Sequence, residues 1–436
     1  MKVLLISANT ETVSMLSLPL GLACVGAATQ KAGHNVVLLD LMFESNPEQA
    51  ISKMIADFRP DVIGVSVRNI DNQDMTHAQF LLAKVKTVVA TCRAASRAPI
   101  VLGGAGYSIF PQAALQYLGA DIGIQGEAEA SFPAVLDRLA SGAGLAGVPG
   151  VCLPGKTTAL PQPAQTGCGA NPTAISSAAG LDDFALPKPH FWISRYADKE
   201  NLRVPVQSRR GCPMYCSYCS THLIEGTARR AHSPEQIVAW LAEMCAAGYR
   251  RFAFVDNNFN VPLPYAKALC RAIIASGLDL DLWCIVYPNW IDTELAELMR
   301  GAGCREAALG FESGSAPILS GFNKRFTPQE VRAVAQRFEA AGIQRHGFLM
   351  LGAPGETKDT VEESLAFADS LNLSTLKITL GIRIYPHTAL ARTAVEEKLI
   401  QPDNDLLLPT FYFAPSLRDW LPERVAAYQA GHAWVR

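Results

Sequence analysis

The chain of 436 residues lacks an excess of charge of either sign. Lysine and arginine number 38, aspartate and glutamate number 40, and the net charge is -2. Neutralising a phosphate backbone takes clustered Lys and Arg, which this sequence does not contain, so it gives no indication of nucleic-acid binding. Charged residues make up 18% and hydrophobic residues 49%. That balance excludes a disordered chain and favours a globular α/β protein of two or three domains that acts on small molecules.

The sequence also lacks a hydrophobic run that would enter or cross a membrane. Its first residues, MKVLLISAN, contain one lysine and too short an apolar core for a secretory signal. Residues 12–30 carry no charge, but Ser, Thr, Pro and Gly interrupt them, and we expect a loop followed by a buried helix there. The sequence therefore predicts a cytoplasmic protein without membrane contact.

The eleven cysteines do not form a disulfide framework, which a reducing compartment would not sustain. Eight of them are scattered, mostly in apolar surroundings where a thiol packs as a small hydrophobic group: Cys24, Cys92, Cys152, Cys168, Cys245, Cys270, Cys284 and Cys304. The other three stand together in RRGCPMYCSYCS, residues 209–220, at Cys212, Cys216 and Cys219. Such a group calls for a chemical explanation.

The first part of the chain alternates between short apolar runs and helical stretches. Runs rich in Val, Ile and Leu occupy residues 2–8, 35–41, 62–68, 99–105 and 122–127. The stretches between them have helical spacing and end at Gly or Pro. This pattern predicts a doubly wound, Rossmann-like parallel sheet in residues 1–154. Residues 155–198 begin with a segment dense in Pro, Ala, Gly, Ser and Thr, and we interpret them as a linker.

A second alternation fills residues 199–386, with six strand-like runs and five helical segments between them. Four of these helices open with a capping residue, namely Ser233, Asp292, Thr327 and Thr357. A repeated strand and helix unit of this kind curls into a barrel whose active face is formed by the carboxyl ends of the strands. With six units in place of eight, we expect a partial barrel that is open on one side. Residues 387–436 contain four prolines and predict a small helical or irregular cap.

The three clustered cysteines follow the first strand of this predicted barrel. A structural zinc site needs four protein ligands, and His222 could complete one in the spacing Cys-x3-Cys-x2-Cys-x2-His. Against zinc, the loop lies where catalytic groups sit in a barrel, and the domain has a large apolar core of its own. A cubane iron–sulfur cluster normally takes four thiolates, so three cysteines would leave one iron open to bind a substrate or cofactor.

The spacing Cys212-x3-Cys216-x2-Cys219 resembles that of the radical S-adenosylmethionine (SAM) superfamily, and Tyr218 before the third cysteine also fits. The resemblance implies a partial (β/α)6 TIM-type barrel that holds a 4Fe-4S cluster. Its open iron chelates the methionyl end of SAM, and an electron cleaves SAM to a 5′-deoxyadenosyl radical.

Three further stretches match the family in the correct order. FVDNNFN (254–260) ends the second barrel strand, LGFESGS (309–315) the fourth and FLMLGAPGET (348–357) the fifth. The resemblance implies that SAM is bound, besides Tyr218, by residues on these stretches: Asp256, Asn257, Glu312, Ser313, Gly352 and Gly355. The two glycines would let the backbone approach adenine closely.

The strand ends of the first domain also match a known group. GGAGYSIFP (103–111) followed by GADIGIQGEAE (119–129) resembles the cobalamin-binding domain that precedes many radical SAM barrels. The resemblance covers nearly the whole chain. It implies that the following residues contact cobalamin: Ser66, Arg68, Gly103, Gly104, Gly126 and Glu127.

One departure concerns the lower face of cobalamin. Related domains that supply a histidine to cobalt carry Asp-x-His-x-x-Gly after the second strand, but residues 40–45 here read DLMFES, without the His and the Gly. We therefore expect no protein imidazole on cobalt. Arg68, which follows Ser66 and Val67, is the residue we place near that face, where a cation that does not ligate would keep cobalt short of electron density.

The resemblance implies a cobalamin-dependent radical SAM methyltransferase. Such an enzyme methylates an unactivated carbon of a small-molecule substrate through the 5′-deoxyadenosyl radical and methylcobalamin, and takes electrons from an external donor such as flavodoxin or ferredoxin. One alternative is a non-methylating use of SAM, such as rearrangement, cyclisation or aminocarboxypropyl transfer, with or without corrinoid. Another is a zinc-stabilised binding protein without catalytic activity. Methylthiolation of RNA is disfavoured because no further cysteine cluster or basic domain is visible. No catalytic side chain is assigned.

Overall fold

The computed structural model describes residues 1–11, 18–155, 180–196 and 202–435. Its strands are β1 Lys2–Ser7, β2 Asn35–Asp40, β3 Val62–Ser66, β4 Ile100–Gly103, β5 Ile122–Ile124, β6 Val151–Cys152, β7 Arg203–Val206, β8 Arg209–Arg210, β9 Arg230–Ala231, β10 Arg251–Phe254, β11 Asp281–Val286, β12 Cys304–Glu312, β13 Gln344–Leu351, β14 Thr375–Leu380, β15 Ile382–Arg383 and β16 Phe411–Tyr412. Its α-helices are α1 Leu20–Lys31, α2 Pro47–Phe58, α3 Leu82–Ala95, α4 Ala105–Ile109, α5 Pro111–Leu118, α6 Ser131–Ser141, α7 Pro189–Trp192, α8 Thr221–Glu225, α9 Pro234–Ala246, α10 Leu263–Ser276, α11 Thr293–Gly301, α12 Ala316–Gly321, α13 Pro328–Ala340, α14 Lys358–Asp369, α15 Ala389–Glu396 and α16 Leu421–Gly431.

The first sheet has the strand order β2-β1-β3-β4-β5-β6. Successive residues of β1 enter different apolar clusters, Leu4 and Ile6 on one face and Val3 and Leu5 on the other. A strand buried on both faces is typical of a doubly wound parallel sheet, and that prediction is confirmed. The sixth strand was not predicted. It pairs antiparallel with β5 and has only two residues, too few to produce a periodic pattern.

The second sheet has the order β14-β13-β12-β11-β10-β7, with every neighbouring pair parallel. In the described residues β7 and β14 form its two edges, as expected for a partial barrel. The helix starts follow the capping residues read from the sequence. Thr327 forms a capping box with Glu330, and the Asp292 side chain accepts a hydrogen bond from the Leu295 amide. The second α/β unit is therefore confirmed.

Residues 180–196 of the predicted linker pack between the two sheets. Tyr249 on the barrel donates to the Ile193 carbonyl at 3.1 Å, and Tyr196 donates to Asp40 Oδ2 at 2.7 Å. This part of the predicted linker is therefore docked to both domains. Residues 156–179, which include Cys168, and residues 197–201 lie outside the described residues, so the linker boundaries stay a prediction.

The carboxyl-terminal cap holds α15, α16 and the strand β16, which pairs antiparallel with β15. Its aromatic residues pack against the barrel. Phe413 lies beside Gly352, and Tyr428 donates a hydrogen bond to Asp369 on α14. Among the helices that the structure describes, none is long and apolar enough to cross a bilayer.

Candidate active site

The three clustered cysteines lie on a loop at the carboxyl end of the first barrel strands. The loop begins at Gly211, whose φ is +89°, and a side-chain carbon at this position would stand 2.0 Å from the Ala228 carbonyl oxygen. Only glycine fits this turn. The Cys212 amide then donates to the Gly226 carbonyl at 3.1 Å, and the Cys219 amide to the Cys216 carbonyl at 3.1 Å. Local backbone bonds therefore set the shape of the loop.

Two other segments hold the loop from outside. The Ser217 amide donates to the Phe322 carbonyl at 3.0 Å, and Asn323 Nδ2 donates to the Tyr215 carbonyl at 2.8 Å. From the cap, the Leu390 amide at the start of α15 donates to the Ser217 carbonyl at 2.9 Å. The barrel and the cap thus both fix the position of the cysteines.

The thiols lie close enough to influence one another. Burial raises the pKa of Cys212 to about 12, and the charges of Cys219 and Cys216 add to this rise. Burial also raises the pKa of Cys216, and the positive charge of Lys324 opposes this rise. Three cysteine sulfurs on one loop are soft donors of the kind that hold iron–sulfur clusters, so the donor set fits such a cluster.

The zinc alternative finds no support in the arrangement of His222. That residue lies on α8, and its pKa is lowered by burial and by the neighbouring His387. Within the described ranges, no three His, Cys, Asp or Glu side chains converge on the position of a single metal ion. The fit of the cysteines to a multinuclear cluster rests on their chemistry and mutual proximity.

Asp256 is bonded within the protein, and its expected contact with SAM stays a prediction. Its carboxylate accepts hydrogen bonds from the Ser208 amide at 2.7 Å and from Arg209 Nη2 at 2.9 Å, and its side chain is 1% exposed. Both oxygens are therefore occupied within the protein. Asp256 ties the end of β10 to the strand that leads into the cysteine loop.

The next two side chains face the loop more closely. Asn257 donates to Glu225 Oε2 at 2.6 Å, and Asn258 Nδ2 lies 3.6 Å from Cys212 Sγ. Glu225 also accepts from the Gly211 amide at 3.0 Å. Burial raises the pKa of Glu225, and these donors oppose the rise. Asn258 and Glu225 were missed from the sequence: Asn258 stands in the FVDNNFN stretch, where Asp256 and Asn257 were chosen instead, and Glu225 belongs to no recognisable motif.

Glu312 ends β12 in a left-handed conformation, with φ +63°. Its carboxylate lies 3.4 Å from Lys324 Nζ, which also stands 5.3 Å from the centre of the Tyr218 ring. Burial alone lowers the pKa of Lys324, but its neighbours, Cys216 and Glu312 among them, raise it above its ordinary value. The structure thus places Tyr218 and Glu312 together beside Cys216, with a buried lysine that sequence reasoning missed.

Ser313, expected to contact SAM, is fully buried instead. Its hydroxyl lies 3.0 Å from the Ser364 hydroxyl on α14 and accepts from the Ser315 amide at 3.1 Å. The side chain thus joins strand to helix, and the expected contact with SAM stays a prediction.

The glycines that follow β13 have different surroundings. At Gly352, φ is +99° and a side-chain carbon would stand 2.9 Å from Phe413, so the close approach is to the cap. At Gly355, φ is +75° and the corresponding space is open. Glu356 accepts from the Gly352 and Ala353 amides and holds the turn. Only Gly355 leaves room for a ligand at the position expected for adenine.

In the first domain, the glycine loop after β4 lies against the end of β3. Gly104 has φ +103°, and a side-chain carbon there would stand 2.6 Å from the Val67 carbonyl and 3.0 Å from Ser66 Oγ. Gly103 has more room, because a side-chain carbon there would stand 3.8 Å from the Ile124 carbonyl oxygen. Glycine at 104 is therefore required by the protein's own backbone.

A cleft lies beside these strand ends. Its walls include Asn9 after β1, and Ser66 and Arg68 at the end of β3. The Arg68 side chain is exposed. Asn9 Nδ2 is buried without a hydrogen-bond partner among the described residues. An unpaired buried amide at the carboxyl edge of a doubly wound sheet fits a binding site for a polar cofactor.

Glu127 and Gly126 lie where the two domains meet. The Glu127 carboxylate forms a bidentate ion pair with Arg230 of the barrel, and Gly126, with φ +81°, is close to the Ile224 carbonyl on α8. Nearby, Arg210 pairs with the buried Glu129 at 2.6 Å. The ion pair of Glu127 with Arg230 joins the two domains, and the expected contact of Glu127 with cobalamin stays a prediction.

Comparisons with protein families identify both parts of the chain. Residues 6–136 match the B12 binding domain, and residues 206–368 match the radical SAM superfamily. The chain therefore joins a B12 binding domain to a radical SAM domain, and the resemblance to cobalamin-dependent radical SAM enzymes is confirmed.

Relatives with assigned names resemble the chain over most of its length. An uncharacterized methyltransferase of Pyrococcus horikoshii is 26% identical over 413 residues, covering 93% of this chain and 85% of the relative. The tryptophan 2-C-methyltransferase of Streptomyces laurentii is 25% identical over 437 residues, covering 87% and 72%.

A solved structure shares the fold. The radical SAM methyltransferase TsrM from Kitasatospora setae, solved with cobalamin and a [4Fe-4S] cluster, superposes with a TM-score of 0.85 at 21% identity, covering 100% of this chain and 92% of that chain. The same enzyme has been solved with its tryptophan substrate and a SAM analogue.

Proposed function

We propose that the chain is a cobalamin-dependent radical SAM methyltransferase that acts on a small molecule. The observation that carries this proposal is the contact between α8, directly after the cysteine loop, and α4, directly after the glycine loop of the B12 binding domain. Ligands bind at the carboxyl ends of strands in both kinds of sheet. The contact therefore supports two cofactor sites that face each other.

The named relatives support transfer of a methyl group. The two relatives described above are called methyltransferases, and one is named for carbon 2 of tryptophan. We therefore propose a carbon atom as the methyl acceptor. The TsrM structure with tryptophan supports a small-molecule substrate.

Cys212, Cys216 and Cys219 would hold the cluster, and the cleft at Asn9 and Arg68 would receive cobalamin. When bound, the cluster supplies the electron that cleaves SAM, and cobalamin carries the methyl group. The protein's own task is to fix the reacting groups in line and exclude water. Asp256 contributes by locking Ser208 and Arg209, which immediately precede the cysteine loop.

The buried pair of Lys324 and Glu312 contributes in a different way. Lys324 places a positive charge beside Cys216, and Glu312 keeps that charge in place. We propose that Tyr218, Asn257, Glu312 and Gly355 line the SAM site, where the first three are ordered by contacts within the protein. Asn257 is held by Glu225, so its amide has a fixed orientation toward the loop.

We also propose three properties that the sequence supports. Arg68 lies near the lower face of cobalamin, where no protein imidazole is supplied. An external donor such as flavodoxin or ferredoxin provides electrons. The protein acts in the cytoplasm, without nucleic-acid or membrane partners.

Product analysis with SAM labelled in its methyl group tests the proposal. We expect the label in a carbon–methyl bond of the product, and activity that depends on added cobalamin. Label retained in methylthioadenosine, with full activity in the absence of corrinoid, would favour aminocarboxypropyl transfer instead. Recovery of 5′-deoxyadenosine with hydrogen from the substrate would assign the acceptor as an unactivated carbon.

A further inference from the structure

Arg229 is a buried arginine without a partner of its own. It lies between α8 and β9, and it is 5% exposed. Its Nε and Nη1 atoms are buried and have no hydrogen-bond partner in the part of the chain that the structure describes. An uncompensated buried guanidinium is costly to stability, and such groups call for a ligand or a function.

The neighbouring arginines show what is missing. Arg209 pairs with Asp256, Arg210 with Glu129, and Arg230 with Glu127. Each of these guanidinium groups has a carboxylate. Arg229 stands among them without a carboxylate partner in the residues that the structure describes.

The cavity at Arg229 leads to the cysteine loop. Its walls include Gly211, Pro213 and Met214 of the loop, and Asn258 after β10. Asn258 Nδ2 lies 3.6 Å from Cys212 Sγ, so one side chain of this cavity already points a donor at a cysteine sulfur. Arg229 has two free donors in the same cavity.

The charges around Arg229 point to the same sulfur. Burial lowers the pKa of Arg229, and the positive charges of Arg209 and Arg325 lower it further. The charge of a Cys212 thiolate opposes them and favours the guanidinium form. The cavity that Arg229 and Asn258 line beside the cysteine loop carries the assignment.

We propose that Arg229 is a positioning residue for the iron–sulfur cluster, donating hydrogen bonds to the Cys212 sulfur or to the cluster sulfides next to it. The inference rests on the proposed function, because it requires a cluster on the three cysteines. A cubane held by thiolates is negatively charged overall, and donors to its sulfurs raise its reduction potential and slow its loss. Arg229 thus makes the cluster easier to reduce.

A redox titration of the reconstituted protein, followed by electron paramagnetic resonance without SAM, tests the assignment. Arg229→Lys keeps the charge, Arg229→Gln keeps a donor, and Arg229→Met removes both. We expect midpoint potentials that fall below the wild-type value in that order, with the largest shift in Arg229→Met. We also expect these variants to release iron to a chelator faster than wild type.

The matched control is Arg345→Met. Arg345 is also a buried arginine with an unpartnered Nε, but it lies near the amino end of β13.

Equal potentials in wild type, Arg229→Met and Arg345→Met, at full iron content, would overturn the proposal. A shift that arises only after SAM is added would also overturn it, since it would assign Arg229 to the substrate. If wild type itself assembles no cubane, the proposed function fails first, which is a different result.

Thermal melting of the full chain with and without cluster separates this role from a purely structural one. Without cluster, Arg229→Met removes an uncompensated charge, so we expect its melting temperature to equal or exceed that of wild type. Binding of the cluster should raise the melting temperature of Arg229→Met by less than it raises that of wild type. Equal destabilisation of both forms, as expected for Arg345→Met, would show a structural role and overturn the proposal.

Discussion

Arg383 on β15 donates from Nε to Asp71 Oδ2 of the B12 binding domain at 2.7 Å, and both side chains are almost fully buried. Arg383 also donates to the Leu406 carbonyl at 2.8 Å. The pair connects the end of the barrel to the loop that follows β3. It therefore helps to hold the two domains together.

Removing one member of this pair leaves a buried charge uncompensated. We expect Asp71→Ala to destabilise the protein by about 3 to 5 kcal/mol, as is typical of a broken buried ion pair. Urea denaturation measures the loss. Glu362→Ala, which breaks the more exposed pair with Arg424, is the control and should cost about 0 to 1 kcal/mol. Equal effects of the two substitutions would show that the buried pair has no special role.

Each of the three loop cysteines should be required for iron binding. We expect Cys212→Ala, Cys216→Ala and Cys219→Ala to lose most of the iron, about four atoms per chain in wild type, because a cubane needs every thiolate that the loop offers. Iron and sulfide assays on anaerobically reconstituted protein measure this. Cys92→Ala, a buried cysteine on α3, should keep a full complement. Retention of iron in any of the loop variants would contradict the assignment.

Arg68 should influence bound cobalamin. We expect Arg68→Ala to alter the optical spectrum of bound methylcobalamin, because a guanidinium near the lower face changes the electron density at cobalt. The exposed Arg97, on the loop before β4, provides the control variant Arg97→Ala. An unchanged spectrum with cobalamin still bound would place Arg68 away from that face.

Glu356 should make stability depend on pH. Burial raises its pKa from 4.5 to about 7, although the Gly352 and Ala353 amides oppose the rise. The folded state therefore holds a proton that the unfolded chain releases, so this stabilisation is complete below pH 4.5 and is lost as pH rises through about 7. The loss amounts to at most about 3 kcal/mol.

Denaturation between pH 5 and pH 8 measures this effect, and Glu356→Gln should remove the dependence. Glu363→Gln, on the exposed face of α14, should retain the wild-type slope. A wild-type slope in Glu356→Gln would assign the pH dependence to other groups.

The sequence predicted features whose signals are local. Buried strand runs, helix caps such as Thr327, and the cysteine spacing each depend on residues near one another in the chain, and both α/β units formed as expected. The position of Glu312 beside the loop followed from its place at the end of β12, because the ends of parallel strands meet at one face.

The sequence did not predict which charged side chains form ion pairs with one another. Glu127 and Asp256 belong to stretches that resemble ligand-binding motifs, yet the structure gives their oxygens to Arg230 and Arg209. Arg229 looks like its neighbours in the sequence, and it differs from them in that its Nε and Nη1 atoms have no partner among the described residues. Which ion pairs form depends on how domains dock, and no local pattern records that.

The hydrogen bond from the Leu390 amide to the Ser217 carbonyl has a consequence for biogenesis. During synthesis the ribosome releases the cysteines long before it makes α15, so the loop lacks one of its supports until the final helices emerge. We therefore expect iron and sulfide to be inserted after translation, into a nearly finished enzyme. A shortened chain without the cap should accumulate as a protein that takes up iron poorly.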